Sequence, residues 1–352
     1  MKFGSLIDYV NAGGNVLIAA SSDLSDALRD FSYEFSVDFD ERGSAVFDYF
    51  NKADGDPLKV LSNVYSKASA EYVIGKTVQA GAPIVFSGVG HRLSGKNMLA
   101  FPVLTATSSA FSYDKSSSSL LTGDPLVGSS VVLVSAFQAR NNARVVFSGS
   151  TDLFTDAFFD TQVTPFGGGG QAKAGNEAFV AELTKWAFRE KSVIRISDPK
   201  HHRWNETAQH GIYRIKDELV YSATISEWTE DAWRPFQASD VQFEAVMLDP
   251  YVRKTMTGDK NGVFSAKFTL PDHYGVFTFK VNYNRHGLSY IHVSETVQIR
   301  PFRHDQYPRF LKVAYPYYAN IFSMMAGFFL LSVLFLYNRE PNSKGKAKVK
   351  TN

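Results

Sequence analysis

Hydrophobic and polar positions follow two different periods before a long apolar run near the end of the chain. Over residues 15–192, short apolar runs alternate with amphipathic stretches, as in domains whose helices cover both faces of a sheet. Strands are expected at residues 16–20, 83–88, 131–137 and 144–149, and helices at 22–35 and 178–190. We therefore predict an open, doubly wound α/β domain over residues 1–192.

The period changes to two between residues 193 and 300. Apolar and polar side chains alternate over residues 241–247, 264–270 and 277–283, and a last strand is expected at 291–299. The dipeptide Asn261-Gly262 is typical of a tight hairpin turn. This pattern predicts a second domain over residues 193–312, an antiparallel β-sandwich of immunoglobulin-like size.

The apolar run has the length and composition of a membrane span. Residues 313–338 contain no charged side chain, and about 20 apolar residues form a helix long enough to cross the hydrocarbon layer. Tyr315 and Tyr337 mark its two ends, where interfacial tyrosines are common. We predict a transmembrane helix over residues 313–338 and a basic tail over 339–352, a buried core helix being the alternative. Basic residues flank both sides of the run, so charge alone does not orient it.

The start of the chain has a distinct pattern. Residues 1–10 form an amphipathic helical pattern with Leu6, Ile7 and Val10 on one face, and no signal peptide pattern precedes it. Because this helix leads directly into a strand, we expect the opening of the first domain to be missing from the sequence.

Composition excludes several classes of chemistry. The 352 residues carry a formal charge of +2, so no basic footprint for nucleic acid is visible. The chain contains no cysteine, which excludes disulfides, zinc–thiolate sites, iron–sulfur clusters and thiol nucleophiles.

Motifs for catalysis or cofactor binding are incomplete. The Gly88-Val89-Gly90 segment lacks the third glycine of a dinucleotide fingerprint, and no Gly-x-Ser-x-Gly elbow occurs in the chain. Similarly, Gly75-Lys76-Thr77 lacks the upstream glycine of a phosphate-binding loop. We therefore predict no catalytic residue, no cofactor and no metal. Capping and the helix dipole explain the acidic residues at helix starts, which are Asp23, Asp26, Asp152 and Asp156.

Histidines and one glycosylation sequon follow the first domain. His201, His202 and His210 suggest metal ligation, but adjacent side chains of an extended segment point to opposite faces. We expect them to be surface histidines of an interdomain loop. Asn205-Glu206-Thr207 is the only Asn-x-Ser/Thr sequon, which makes Asn205 a possible N-glycosylation site and favours a lumenal ectodomain.

Segments spread over the whole chain resemble one family. The sequence is similar to the 48 kDa subunit of the eukaryotic oligosaccharyltransferase complex at residues 9–23, 147–156, 300–310, 314–319 and 322–325. The resemblance implies a non-catalytic accessory subunit of the enzyme that transfers an oligosaccharide from dolichyl diphosphate to asparagine in sequons. Family members carry a cleaved signal peptide and an earlier part of the α/β domain, neither of which is present here.

The same resemblance implies location and partners. It indicates an endoplasmic reticulum protein with a lumenal ectodomain, one C-terminal span and a cytosolic tail, where Lys348 and Lys350 have the spacing of a dilysine retrieval signal. The implied partners are the catalytic subunit, ribophorin-type subunits, the defender-against-death subunit and membrane lipid. The first domain is similar to amidotransferase-like domains, whose thiol chemistry is impossible without cysteine.

We hypothesise that the two domains form a lumenal scaffold and that the membrane helix packs against partner helices. Small and soft side chains favour such packing, and they are Ser323, Met324, Met325, Ala326, Gly327 and Ser332. Two other classes stay open, a tail-anchored cytosolic adaptor and an α/β hydrolase or ligand-binding enzyme. The adaptor would leave Asn205 unmodified, and the enzyme would need a nucleophile and a base.

Overall fold

The computed structural model describes residues 3–66, 72–114, 126–164, 166, 170–229, 231–307 and 311–337. The chain forms two compact units, Met1–Arg300 and Pro301–Asn352. Within the first unit, separate sheets occupy residues 3–192 and 193–300, which we call the first and second sheet regions. The domain boundaries expected at residues 192 and 312 stay predictions.

The secondary structure consists of short elements in the first sheet region and longer strands in the second. The helices are α1 Phe3–Asn11, α2 Asp26–Glu34, α3 Lys76–Gln79, α4 Asp156–Phe159, α5 Asn176–Ala187 and α6 Tyr315–Leu336. The strands of the first region are β1 Val16–Ala19, β2 Val37–Phe39, β3 Ser44–Phe47, β4 Lys52–Ala53, β5 Asp56–Ser62, β6 Val64–Tyr65, β7 Ile84–Phe86, β8 His91–Leu93, β9 Ala100–Thr105, β10 Phe111–Asp114, β11 Val132–Gln138, β12 Arg144–Ser148, β13 Gln162–Val163 and β14 Ala172–Lys173. Those of the second are β15 Val193–Arg203, β16 Ile212–Arg214, β17 Glu218–Thr229, β18 Ala232–Pro235, β19 Gln242–Met247, β20 Asp249–Thr255, β21 Thr257–Gly258, β22 Val263–Thr269, β23 Gly275–Tyr283 and β24 Ile291–Arg300.

The main sheet of the first region is mixed, which differs from the parallel, doubly wound sheet that we expected. Its order is β1-β12-β11-β8-β2, with β9 paired to β11 and β6 paired to β9. Only β1 and β12 are parallel among these pairs. The short turn over residues 139–143 joins β11 to β12, and so short a connection permits only an antiparallel pair.

Helices cover both faces of this sheet, as the sequence predicts. Along β12, Val145 and Phe147 belong to a core that α1 and α2 cover, whereas Val146 belongs to a core that α5 covers. The confirmed N-terminal helix α1 contributes the buried Val10 to the first of these cores. The alternation follows directly from the two-residue period of a strand.

Two glycines allow the backbone to cross itself beside the sheet. A Cβ atom at Gly88 would lie 2.0 Å from the carbonyl oxygen of Gly149, and one at Gly149 would lie 1.8 Å from that of Val89. Gly88 is therefore a glycine because the backbone packs closely there. This structural role explains the glycine without any dinucleotide-binding function.

The second sheet region contains two five-stranded sheets that pack face to face. Their orders are β15-β17-β22-β21, with β18 beside β17, and β16-β24-β23-β19-β20. The ring of Phe243 in one sheet lies 4.6 Å from Tyr221 and 4.7 Å from Phe268 in the other. The turn expected at Asn261-Gly262 is confirmed between β21 and β22, with Gly262 at φ +76°. One pair, β16 with β24, is parallel.

The second unit contains the predicted apolar helix. The 22 residues of α6 rise about 33 Å at 1.5 Å per residue, enough to cross a bilayer. The candidate span Lys312–Leu336 has a mean hydropathy of 2.1 and no buried residues. The helix thus has the length, composition and exposure expected of a transmembrane segment.

Candidate functional site

A buried polar cluster lies where the two sheet regions meet. Arg144, at the start of β12, is completely buried. Its Nη1 donates to the carbonyl oxygens of Trp186 at 2.7 Å and Lys191 at 2.8 Å, and its Nη2 donates to that of Ser192 at 2.7 Å. These carbonyls belong to the end of α5 and the link to β15. Arg144 therefore fixes the chain where it passes from one region to the other.

Burial lowers the pKa of Arg144, but the side chain stays positively charged at neutral pH. Burial lowers the pKa of Arg144 to about 9, and the positive charge of Arg189 acts in the same direction. The guanidinium carbon lies 4.7 Å from the centre of the Trp186 ring, a cation–π distance. Carbonyl oxygens and this ring replace the hydration that a buried cation loses.

A loop of the second region, residues 287–290, receives further bonds from the first. The indole Nε1 of Trp186 donates to the carbonyl oxygen of Gly287 at 2.7 Å. The amide nitrogen of Gln138 donates to the carbonyl oxygen of Leu288. Both side chains are buried, so each would be costly to leave without a partner.

A two-way bond completes this contact. Asn142, in the turn between β11 and β12, donates to the carbonyl oxygen of Tyr290 at 3.2 Å and accepts its backbone N–H at 2.6 Å. No sequence motif predicts these contacts. The one available signal is a charged residue, Arg144, at the start of the apolar run that becomes β12. We call the set the polar seam, and it consists of Gln138, Asn142, Arg144 and Trp186 with residues 287–290.

An open cleft lies beside the polar seam, and both sheet regions line it. Its volume is about 470 Å³, within the usual range of small-molecule sites. We call it the junction cleft, and its lining residues are Met98, Leu99, Arg140, Asn282, Asn284, Arg285, His286, Tyr290 and His292. None of these described lining residues is acidic. Arginine, histidine and asparagine side chains at one opening provide hydrogen-bond donors for an anionic or strongly polar group.

Two of the three histidines that we expected in a surface loop, His201 and His202, lie in a strand instead. His201 lies in β15, is 4 % exposed, and its Nδ1 is 2.7 Å from the hydroxyl oxygen of Tyr213. Burial lowers the pKa of His201, and the charge of His202 adds to this effect. The expectation was wrong because β15 extends through residue 203, which places adjacent side chains on opposite faces.

The remaining histidine lies near the sequon. His210 Nε2 is 2.6 Å from a carboxylate oxygen of Glu206. Asn205 and Thr207 are exposed after the end of β15, beside the half-exposed ring of Trp204. Within the described ranges, no group of three histidine or acidic side chains is placed to hold a metal ion.

The predicted packing residues of α6 face outward. Ser323 and Ser332 donate their hydroxyls to the carbonyl oxygens of Asn320 and Phe328, each at 2.8 Å. Apart from the backbone of α6 itself and the adjacent residues, no atom of the described chain lies within 4 Å of the position that a Cβ of Gly327 would occupy. Met324, Met325 and Ala326 are likewise exposed. Lys348 and Lys350, predicted as a retrieval signal, lie outside the described residues.

The four acidic residues predicted at helix starts lie at or shortly before such starts in the structure. Asp26 and Asp156 are the first residues of α2 and α4, and Asp152 begins a 3₁₀ turn. Helix α2 begins at Asp26, four residues later than the start predicted at Ser22. Asp23 lies before it, with its carboxylate 3.7 Å from the side chain of Arg42.

Comparisons with known proteins cover nearly the whole chain. Residues 1–190 match the family model described as the OST48 N-terminal domain, and residues 201–339 match that of the OST48 middle domain. A protein of Arabidopsis thaliana named dolichyl-diphosphooligosaccharide–protein glycosyltransferase 48 kDa subunit is 43 % identical over 339 residues. The alignment covers 95 % of this chain and 77 % of that protein.

Relatives from animals give the same result. Proteins of that name from Danio rerio and Caenorhabditis elegans are 40 % and 39 % identical, covering 94 % and 97 % of this chain and 76 % and 77 % of their own. A solved pullulanase from Bacillus acidopullulyticus aligns at 12 % identity over 72 % of this chain and 31 % of its own. The TM-score of this alignment is 0.15.

Proposed function

The chain belongs to the family of the 48 kDa subunit of oligosaccharyltransferase, and from this membership we propose that it is a non-catalytic scaffold of that complex. It is a subunit of the complex that transfers an oligosaccharide from dolichyl diphosphate to protein. Two family models that together match most of the chain carry this proposal.

The polar seam supports a scaffold role. The buried side chains of Gln138 and Trp186 donate to backbone carbonyls of the second region, and Arg144 binds the carbonyls of the chain that leads into it. These bonds hold the two sheet regions together. A compact unit of 300 residues would offer surfaces on which other subunits dock. The catalytic centre of the complex would then belong to another subunit.

The same membership and the apolar helix support the location that we propose. We place the chain in the endoplasmic reticulum membrane with one span, residues 1–312 in the lumen and residues 339–352 in the cytosol. The exposed Asn205 would accept a glycan in the lumen, and Lys348 and Lys350 would mediate retrieval from the cytosolic side.

The proposed partners are other subunits and lipid. They are the catalytic subunit, ribophorin-type subunits and the defender-against-death subunit, together with the membrane lipid around α6. Nucleic acid is not among them, because the formal charge of +2 provides no basic footprint.

Affinity purification of the full-length chain in mild detergent tests this proposal. Mass spectrometry should identify the other subunits, and the eluate should transfer oligosaccharide to a sequon peptide. The chain separated from its partners should show no transfer. Recovery of the chain alone, or with cytosolic proteins only, would favour the tail-anchored adaptor. Transfer by the separated chain would contradict the non-catalytic role.

Glycosidase treatment tests the orientation independently. If residues 1–312 are lumenal, endoglycosidase should increase the mobility of the wild-type chain and leave Asn205→Gln unchanged. Asn261→Gln is the matched control, since this exposed asparagine lies in no sequon. An insensitive wild-type chain that protease digests in sealed microsomes would place these residues in the cytosol.

A further inference from the structure

We propose that the junction cleft binds a phosphate-bearing ligand, a phosphate ester or a diphosphate, with Arg140 as the principal anion contact. The proposal goes beyond the scaffold role and does not depend on it. It rests on the position of the cleft, on its charge and on the way its side chains are held.

Strand register places the polar side chains of the second region together. Asn282 of β23 is directly opposite His292 of β24, and an oxygen of the asparagine bonds to Nδ1 of the histidine. Their neighbours Val281 and Tyr283 point the other way, into the core. The two-residue period therefore aligns polar groups along the side that faces the cleft.

The first region supplies an arginine without a counter-ion. Arg140 is exposed in the turn between β11 and β12, and it forms no ion pair with any residue that the structure describes. The bonds between Asn142 and Tyr290, two residues further along, fix this turn against the second region. The backbone that carries Arg140 is thus held at the cleft before any ligand arrives.

The second arginine is oriented by an acidic neighbour outside the lining. The Nε of Arg285 donates to a carboxylate oxygen of Asp240 at 2.9 Å, and its Nη2 bonds to the same oxygen. Tyr283 donates its hydroxyl to the other oxygen of Asp240 at 2.9 Å. Asp240 offsets the charge of Arg285, so of the two arginines in the lining, Arg140 is the one that has no counter-ion among the described residues.

The cleft also has an apolar side. Met98 and Leu99 line it together with the ring of Tyr290. A volume of about 470 Å³ exceeds what one phosphate group occupies, so an attached organic group has room beside the anion. A lining that combines hydrogen-bond donors with apolar side chains matches an organic phosphate better than a bare ion.

Binding is measured by isothermal titration of the full-length chain in mild, uncharged detergent. The probes are inorganic pyrophosphate and, separately, short-chain phosphatidic acid in mixed micelles, which distinguish a soluble phosphate from a lipid headgroup. Binding of either probe, weakened about tenfold or more by Arg140→Ala, is expected for a charge-assisted contact. Arg42→Ala, an exposed arginine of the first region, should change the affinity less than twofold.

Three results would overturn the proposal. They are the absence of binding by both probes, equal affinities for wild type and Arg140→Ala, and an equal loss in Arg42→Ala. A polyglutamate peptide that binds through Arg140 when neither phosphate probe binds would also contradict it, since the ligand would then be a carboxylate. Neither variant removes a buried contact, so both are expected to fold.

Discussion

At the scale of single residues, buried polar side chains form contacts that the hydrophobic pattern of the sequence does not predict. His91 and Arg144 lie completely inside the first region, and each has a defined partner. His91 Nε2 is 2.7 Å from the hydroxyl oxygen of Ser135, and burial lowers the pKa of His91 to about 3. A group buried in its neutral form makes stability depend on pH.

His91 should destabilise the fold in acid. The unfolded histidine has a pKa of about 6.5, so between that value and about 3 the unfolded chain binds one proton more than the folded chain. Stability is then lost as pH falls through this window, by up to about 1.4 kcal/mol per pH unit from this residue. Urea unfolding at pH 7 and pH 5 should show a smaller loss in His91→Gln than in wild type.

Two other histidines, the buried His201 and the partly buried His286, set the background of that measurement. Burial lowers the pKa of His201 and His286 as well, so some acid sensitivity should persist in the variant. Identical losses between pH 7 and pH 5 in wild type and His91→Gln would contradict a neutral, buried His91.

Arg144 should be needed for stability. Arg144→Met keeps much of the side-chain volume but leaves the buried carbonyl oxygens of Trp186 and Ser192 without their donor. We expect a loss of about 3 kcal/mol in the free energy of unfolding. The same substitution at the exposed Arg140, four residues earlier, is the control. Equal unfolding midpoints for Arg144→Met and wild type would mean that the guanidinium bonds contribute nothing.

At the scale of elements, backbone packing limits which residues the loops after strands accept. The segments after β7 and β12 cross at Gly88 and Gly149 with backbone atoms in direct contact. A Cβ atom added at this crossing would clash with a backbone carbonyl oxygen. That oxygen cannot move aside as the end of a flexible side chain could.

Alanine at this crossing should disrupt the first region. Gly149→Ala would place a Cβ 1.8 Å from the carbonyl oxygen of Val89, and we expect a loss of about 3 kcal/mol or more. Gly95→Ala is the control, because no atom lies within 4 Å of its Cβ position. Thermal unfolding and the yield of folded protein provide the measurement, and a Gly149→Ala variant as stable as Gly95→Ala would refute the crossing.

The sequence predicted elements better than their arrangement. Alternation from Phe277 to Tyr283 placed β23 well, because one face of that strand is buried and the other is not. The direction of β11 beside β12 was missed, since a short apolar run has the same pattern in parallel and antiparallel sheets. The seam around Arg144 was missed because Ser192 and Ser289 lie far along the chain, and no local pattern encodes such partners.

At the scale of the whole molecule, we consider how the exposed apolar helix α6 would contact other subunits of the complex. Gly327 leaves open space on the surface of α6, so a neighbouring helix backbone can approach closely there. Packing of α6 through residues 323–332 stays a prediction.

Leucine at that position should weaken assembly. Gly327→Leu fills the space and should reduce co-purification of the other subunits in mild detergent while the helix still inserts. Phe329→Leu, about 200° around the helix at 100° per residue, is the control with the same introduced residue. Unchanged recovery of the subunits with Gly327→Leu would favour a helix that faces lipid on all sides.

The polar seam also determines how the first unit denatures. When either sheet region loses its structure, the buried donors or acceptors of the other lose their partners, and Trp186 leaves Gly287 without its bond. The free energy of a form in which only one region is unfolded is therefore nearly as high as that of the fully unfolded chain. The two regions should lose structure in one cooperative transition. Damage confined to one region would then reduce the amount of the whole subunit that the membrane retains.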